Sequence, residues 1–167
     1  MFDQIKKAVA AAAFVVAGLS GTALAQPDDP VGPQTVSWTA EPLALSPKAG
    51  PATLILHGSV IPGWHVYSLK QAPEGPTPLL VTVTPNDVAT ARGAVTGTPP
   101  AKIHDPAFNL ETQFYAGAFT VTVPVRVKAH AAGDQVIPVD VRFQTCNGKV
   151  CQPPRTVRLT TTITRKA

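Results

Sequence analysis

The chain has 167 residues, a formal net charge of +4 from 14 basic and 10 acidic residues, two cysteines, four histidines and one methionine. This charge is too small and too scattered to predict nucleic-acid binding. The single methionine is Met1, which excludes a methionine-based copper site, and the histidines show no ligand spacing. We therefore expect no cofactor and no metal. A zinc site of the two cysteines and two distant histidines is the remaining metal alternative.

The first 25 residues have the pattern of a secretory signal peptide. Lys6 and Lys7 precede an apolar run over residues 8–19, and Ala23-Leu24-Ala25 predicts cleavage before Gln26. The apolar run is too short to span a bilayer, and no later run reaches the roughly 18 apolar residues of a membrane helix. We expect an exported, periplasmic protein that does not insert into the membrane after cleavage.

After the predicted cleavage site, the chain divides into a lead-in and one domain. Residues 26–34 are rich in Pro, Asp and Gly and predict a flexible lead-in. Residues 35–167 make one domain of ordinary size. Its short runs alternate apolar and polar residues, are rich in Val, Thr and Ile, and are bounded by Pro or Gly, which is typical of strands. These runs are 35–39, 52–60, 64–69, 79–84, 119–128, 136–146 and 156–164. No window after residue 25 predicts a useful amphipathic helix, so we expect an all-β, immunoglobulin-like sandwich.

Several prolines carry positional information within these runs. Pro124 and Pro138 each interrupt a predicted strand. Because proline in a strand favours an edge position or a bulge, we expect both strands to reach a sheet margin. Pro153-Pro154 separates the cysteines from the last strand, which predicts a cysteine hairpin at one end of the sandwich. Loops at such an end commonly display binding residues.

The run 64–69 offers further candidate site residues. Trp64 and Tyr67 lie three positions apart and face opposite sides of a strand, whereas His65 and Tyr67 share a face. Two interpretations are open. Either Trp64 packs in the core and the other two side chains lie on the surface, or His65 and Tyr67 line a functional site.

The two cysteines flank the four residues Asn147-Gly148-Lys149-Val150. Asn-Gly readily adopts the positive φ angles of tight turns, so a hairpin is predicted. If all four intervening residues form the loop, Cys146 and Cys151 lie directly opposite each other. If Asn147-Gly148 alone form it, the pairing of the cysteines is diagonal. A structural disulfide is the usual fate of a lone pair in an exported protein. However, a ring of about six residues stabilises by only ~2 kcal/mol, and the cationic Lys149 would favour a thiolate, which suits a reversible bond better.

The segment around the cysteines resembles a known family, the N-terminal periplasmic domain of the thiol:disulfide interchange protein DsbD and its stand-alone relatives. The run Thr-Cys-Asn-Gly-Lys-Val-Cys-Gln-Pro-Pro at 145–154 is similar to the family's cysteine signature. Gly63–Leu69 is similar to its glycine-aromatic-tyrosine strand. His104–Phe108 and Phe114-Tyr115, leading into Thr120–Val125, are similar to its cap loop and following strand. The order and spacing of these segments agree over roughly residues 35 to 165.

This resemblance implies an activity and partners. The domain would be a thiol-disulfide exchange carrier that takes reducing equivalents from a membrane-embedded electron transporter and passes them to oxidised thioredoxin-fold periplasmic proteins. Cys151 would be the attacking thiol and Cys146 the resolving thiol. Because the transmembrane core and C-terminal thioredoxin domain of the full-length family member are not found in this chain, we expect the electron source to be a separate protein.

The resemblance also assigns the residues around the disulfide. Residues 98–114 form a long, Pro-punctuated stretch with weak strand character, which is uncommon unless functional or disordered. By resemblance it is a lid in which Phe108 covers the disulfide, with His65 and Tyr67 lining the site. The alternative is that Phe108 packs in the core. The family often carries acidic residues just before this phenylalanine, but Pro106-Ala107 stand there in this chain.

A second class of function stays open at this point. An immunoglobulin-like module that only binds or assembles, with an inert structural disulfide between Cys146 and Cys151, would have the same strand pattern. The reduction potential separates the two classes, because structural bridges fall below about −300 mV.

Overall fold

The structure, a computed structural model, describes residues 34–45, 49–129 and 133–165. Over these ranges the chain forms thirteen β-strands and no helix, so the all-β prediction is confirmed. The strands are β1 (Val36–Ala40), β2 (Leu43–Leu45), β3 (Gly50–Val60), β4 (His65–Tyr67), β5 (Leu80–Val83), β6 (Ala89–Ala91), β7 (Thr96–Gly97), β8 (Ala101–Asp105), β9 (Leu110–Tyr115), β10 (Ala118–Val127), β11 (Gly133–Phe143), β12 (Thr145–Cys146) and β13 (Arg155–Arg165).

The strands form two larger sheets and one smaller sheet. The first has the order β1-β3-β10-β6, with β7 also pairing with β10, and the second has the order β2-β13-β11-β5. The third sheet, β12-β4-β9-β8, carries one of the cysteines. The long pairs β3–β10 and β11–β13 are antiparallel, whereas β2 runs parallel to β13.

One hydrophobic core joins the two larger sheets. Alternate side chains of β10 are buried, as expected for a strand with one face toward the core. These are Phe119, Val121, Val123, Val125 and Val127. From the second sheet Ile137, Val139, Val141, Phe143 and Ile163 belong to the same core. Each fully buried Val, Leu or Ile stabilises the fold by ~1.5–3 kcal/mol, and the result is the immunoglobulin-like sandwich predicted from the sequence.

All seven predicted runs contain strands, but the run at 136–146 divides in two. β11 ends at Phe143 in the second sheet, and β12 pairs with β4 in the third. Gln144 lies at the break, where its carbonyl accepts a hydrogen bond from the Tyr67 amide (3.2 Å). Its side-chain Oε1 accepts from the Thr77 amide (2.8 Å). These bonds redirect the chain from the sandwich to the smaller sheet.

The expectation that Pro124 and Pro138 mark strands at sheet margins is wrong. Both strands lie inside their sheets, with neighbours on each side. The carbonyl of Pro124 accepts from the Arg92 amide (2.8 Å) just beyond β6, and that of Pro138 accepts from the Thr84 amide (3.0 Å) just beyond β5. Because a residue's N–H and C=O point to the same neighbour in an antiparallel strand, each missing N–H faces the end of a short strand, so only the terminal bond of that ladder is absent.

The stretch 98–114 is not the long loop expected from its prolines. It contains the antiparallel pair β8–β9, in which Asp105 lies opposite Leu110, so only residues 106–109 form the connection. Asn109 has a positive φ of 52°, a conformation that Asn tolerates well in turns. The hairpin was not predicted because the stretch contains several prolines. In addition, its exposed edge strand, β8, lacks a strong alternation of apolar and polar residues.

The predicted signal peptide (1–25) lies outside the described residues, as does all of the predicted lead-in except Gln34. His130 lies outside them too. Within the described part of the chain there is no helix long and apolar enough to cross a membrane.

Candidate functional site

The third sheet presents one face to the site and the other to the core. Directly opposite residues in antiparallel strands share a face. Cys146 lies opposite His65, and Tyr67 lies opposite Phe114, so these four side chains share a face. On the other face Val66 is fully buried in the hydrophobic core. The period of two in β4 therefore holds the site against the sandwich.

The cysteines form a disulfide at the mouth of a hairpin. Cys146 and Cys151 form an antiparallel bridge with their Cα atoms 4.0 Å apart, and the bond joins their sulfurs. The Asn147 amide donates to the Val150 carbonyl (3.1 Å), closing the loop between them. Of the two loop lengths left open by the sequence, the structure has the four-residue loop with direct pairing.

The turn is shaped by its Asn-Gly pair. Oδ1 of Asn147 accepts hydrogen bonds from the amides of Lys149 (3.0 Å) and Val150 (2.8 Å). Gly148 adopts a φ of +79°, which costs glycine little. Lys149 is exposed at the tip of the turn between the two cysteines.

The base of the hairpin is held by a triangle of polar side chains, which we call the threonine clamp: Thr35, Thr145 and Gln152. The hydroxyl oxygens of Thr35 and Thr145 lie 3.0 Å apart, and they lie 3.3 and 3.1 Å from Oε1 of Gln152. Both threonines are buried. The backbone N–H of Gln152 also donates to the backbone carbonyl of Thr145 (2.9 Å). The clamp joins residues on either side of the cysteines without using the disulfide.

The two sulfurs differ in their surroundings. Cys146 is completely buried (0% exposed), whereas Cys151 is partly exposed. The hydroxyl oxygen of Tyr67 lies 3.8 Å from Sγ of Cys151. An approaching molecule can therefore reach Cys151 more readily than Cys146.

Tyr67 connects Cys151 to a buried carboxylate. The Tyr67 hydroxyl donates to Oδ2 of Asp105 (2.7 Å), and Oδ1 of Asp105 accepts from the Ala107 amide (2.9 Å). Tyr67 and Asp105 are 0% and 2% exposed. Three effects raise the pKa of Tyr67 far above its ordinary value. Burial is the largest, and the hydrogen bond to Asp105 and the charge of Asp105 add to it. Tyr67 thus stays protonated, and its oxygen faces Cys151.

His65 lies between two aromatic rings. Its ring centroid is 5.1 Å from that of Tyr67 and 5.1 Å from that of Phe114. Its Nε2 is buried and has no hydrogen-bond partner among the described residues. Burial lowers the pKa of His65, and the nearby charge of Asp105 offsets part of this effect. The imidazole is therefore neutral at pH 7.

Phe108 lies in the β8–β9 turn and is half-buried. Its ring packs edge-on against Tyr67 with 5.9 Å between centroids, and it is not a member of the hydrophobic core described above. Trp64, by contrast, packs against that core. The structure thus brings Phe108, His65 and Tyr67 together beside the disulfide, with Lys149 outside on the turn.

Sequence reasoning missed Asp105 and the threonine clamp. Asp105 directly precedes Pro106-Ala107, the two positions that the sequence analysis considered before Phe108. Its place next to the β8–β9 turn was a usable signal. The clamp has no such signal, because Thr35 and Thr145 are 110 residues apart. Across the described ranges, no group of three or more His, Cys, Asp or Glu side chains is arranged to hold a metal ion.

The lowered pKa of His65 predicts an acid-dependent stability. The unfolded chain binds the His65 proton more tightly than the folded domain does, so this contribution is complete above about pH 6.5 and is lost as the pH falls. We expect His65→Phe to lessen the fall in unfolding free energy between about pH 8 and pH 5. Denaturant unfolding at both pH values tests this, with His57→Phe as control. An equal fall in wild type and His65→Phe would show that His65 does not carry the effect.

One family and several solved structures are similar to this chain. Residues 35–163 match the family described as "Thiol:disulfide interchange protein DsbD, N-terminal". The reduced N-terminal domain of DsbD from Neisseria meningitidis is 18% identical, with a TM-score of 0.46, over 68% of this chain and 82% of that one. The N-terminal periplasmic domain of ScsB from Proteus mirabilis is 22% identical, with a TM-score of 0.49, over 83% of this chain and 49% of that one. No curated protein sequence matches the chain significantly.

The family match covers most of the chain. It includes the cysteine hairpin, the third sheet and the threonine clamp. The described disulfide lies within it at the mouth of the hairpin. This chain therefore belongs to the family of N-terminal domains of the thiol:disulfide interchange protein DsbD, and its domain is a thiol-disulfide exchange domain.

Proposed function

We propose that the domain is a periplasmic carrier of reducing equivalents, delivered to that compartment by the signal peptide predicted at residues 1–25. It accepts electrons from a membrane-embedded transporter and passes them to oxidised thioredoxin-fold proteins through the reversible Cys146–Cys151 disulfide. Family membership supports this choice of partners. The alternative is a binding module with an inert disulfide.

The single observation that carries the proposal is the unequal exposure of two bonded cysteines in a hairpin. Cys151 is partly exposed at the sheet end, and Cys146 is buried behind it. A partner can attack or be attacked at one sulfur, while the other is kept for the intramolecular step. A purely structural bridge has no need of this arrangement, because a turn and the threonine clamp already hold the two chain segments together.

The exchange follows from this placement. The Cys151 thiolate attacks one sulfur of the partner's disulfide, and the other partner sulfur leaves as a thiolate. The Cys146 thiolate then attacks Cys151, which re-forms the internal disulfide and releases the partner as a dithiol. Two electrons have moved from the domain to the partner.

The surrounding side chains have separate roles in this proposal. Phe108 covers the disulfide between encounters and moves aside when a partner docks. Tyr67, with its proton held by Asp105, offers an oxygen to the Cys151 thiol. The exposed cation of Lys149 favours the thiolate form of the adjacent cysteines.

The reduction potential tests the proposal against the inert alternative. We expect a value above about −300 mV, because a bond in a ring of about six residues stabilises the fold by only ~2 kcal/mol. The domain is equilibrated with a thioredoxin-fold dithiol of known potential, and the reduced fraction is measured by alkylation and mass spectrometry. A potential below this value, with no electron exchange over hours, would favour the binding module.

A further inference from the structure

The buried sulfur has a cross-strand neighbour that can bind a proton. His65 and Cys146 are directly opposite in the β4–β12 pair, so their Cβ atoms lie ~4.5–5.5 Å apart on the same face. The His65 ring also contacts the rings of Tyr67 and Phe114. The imidazole is therefore held beside Cys146 by backbone pairing and by two aromatic contacts.

Among the described polar groups of the site, His65 is the one that can accept a proton, because the others are already hydrogen-bonded or are exposed on the turn. Both oxygens of Asp105 are engaged, one with the Tyr67 hydroxyl and one with the Ala107 amide. Tyr67 already donates its proton to Asp105, and Lys149 is exposed on the turn. Nε2 of His65 is buried, and no residue within the described ranges forms a hydrogen bond with it. A neutral imidazole with its proton on Nδ1 presents Nε2 as an acceptor.

Because Cys146 is buried, its thiol needs a nearby base to lose its proton. In the proposed exchange Cys146 must lose its proton to attack Cys151, but it is 0% exposed. Burial in apolar surroundings disfavours a free thiolate. A base next to Cys146 would remove the proton as the new bond forms, so that a buried thiolate never has to persist.

We propose that His65 accepts the Cys146 proton in the resolving step. The S–H bond of Cys146 breaks, its proton forms an N–H bond at Nε2, and the sulfur electron pair forms the bond to Sγ of Cys151. The bond between Cys151 and the partner breaks, and its electron pair leaves on the partner sulfur as a thiolate. The imidazolium, stabilised by the charge of Asp105, then returns the proton to that thiolate. Tyr67 lies next to Cys151, whereas His65 accepts the proton of Cys146.

The inference rests on the proposed exchange, so its test first separates the two sulfur steps. The reduced domain is mixed in a stopped-flow instrument with one equivalent of an aromatic disulfide that releases a coloured thiolate. The first release reports attack by Cys151 and depends on reagent concentration. The second reports resolution by Cys146 and does not. If the wild-type domain shows no release in this assay, the proposed exchange itself fails.

The test compares His65→Phe with His57→Phe. We expect His65→Phe to slow the second release at pH 7 by about a hundredfold, the lower end of the effects of a proton-transfer group, and to leave the first release nearly unchanged. Its second rate should keep rising with pH up to and beyond the ordinary thiol ionisation near ~8.5, whereas the wild-type rate should level off below ~6.5, because burial lowers the pKa of His65. His57, hydrogen-bonded to Glu41 on the first sheet (2.6 Å), is the control and should change neither rate.

Two results would overturn the assignment while leaving the exchange function intact. One is a second release in His65→Phe at the wild-type rate and with the wild-type pH profile. The other is an equal slowing of both releases, which would mean that His65 only shapes the site. His65→Gln, which is polar but cannot act as a base near neutral pH, is measured alongside and should behave like His65→Phe. It keeps the test valid if the phenylalanine variant does not fold.

Discussion

Cys146→Ser is expected to accumulate a stable mixed disulfide with thioredoxin-fold partners, whereas Cys151→Ser is expected to accumulate almost none. The first variant keeps the partly exposed Cys151 and lacks the thiol that would release the partner. The second keeps only Cys146, which is 0% exposed and which a folded partner cannot reach. The two variants are expressed in cells, thiols are quenched with acid, and adducts are separated without reductant and identified by mass spectrometry.

The matched control is the double variant with serine at both Cys146 and Cys151, which should yield no adduct. Adducts with Cys151→Ser alone would reverse the roles of the two sulfurs but keep the exchange mechanism. If neither single variant captures a thioredoxin-fold protein, the disulfide is structural and the binding-module alternative becomes the better explanation.

Phe108→Ala is expected to raise the alkylation rate of the reduced thiols by about tenfold, which corresponds to ~1.4 kcal/mol of lost protection. The Phe108 ring is half-buried against Tyr67, whose hydroxyl lies beside Cys151. Removing the ring opens access, and access together with the thiolate fraction controls thiol reactivity. The rate is measured with a small alkylating reagent under pseudo-first-order conditions, and stability is measured by denaturant unfolding.

Lys102→Ala is the matched control. Lys102 lies in the same β8–β9 hairpin with its side chain 60% exposed, and it pairs with Glu111 on the face of the third sheet opposite to Tyr67 and Phe114. It should leave the alkylation rate unchanged. An unchanged rate in Phe108→Ala, combined with a stability loss of the ~3–5 kcal/mol typical of a core phenylalanine, would show that Phe108 is a packing residue.

The parts of the site that depend on local rules could be predicted from the sequence. The Asn147-Gly148 dipeptide indicated the cysteine hairpin, because its turn chemistry is contained in four residues. The shared face of His65 and Tyr67 followed from the period of two in a strand. Which of these side chains are buried is not predictable from the sequence, because the segment that forms the β8–β9 hairpin next to Tyr67 has the sequence pattern of a loop.

The parts that depend on pairing between distant segments could not be predicted. Strands such as β7 (Thr96–Gly97) have only two residues and exist because β10 offers backbone partners. Asp105 gains its importance from the Tyr67 hydroxyl, 38 residues away. Such contacts arise from the assembled sheets, and no local propensity reports them.

The threonine clamp also affects how the domain can be prepared. Thr35 lies just before β1, yet its hydroxyl reaches the two residues that flank the cysteines. A recombinant form starting at Val36 would keep the sandwich strands but leave Oε1 of Gln152 and the Thr145 hydroxyl without Thr35. Potentials and rates measured on such a shortened protein would describe an altered site, so recombinant forms should begin well upstream of residue 35.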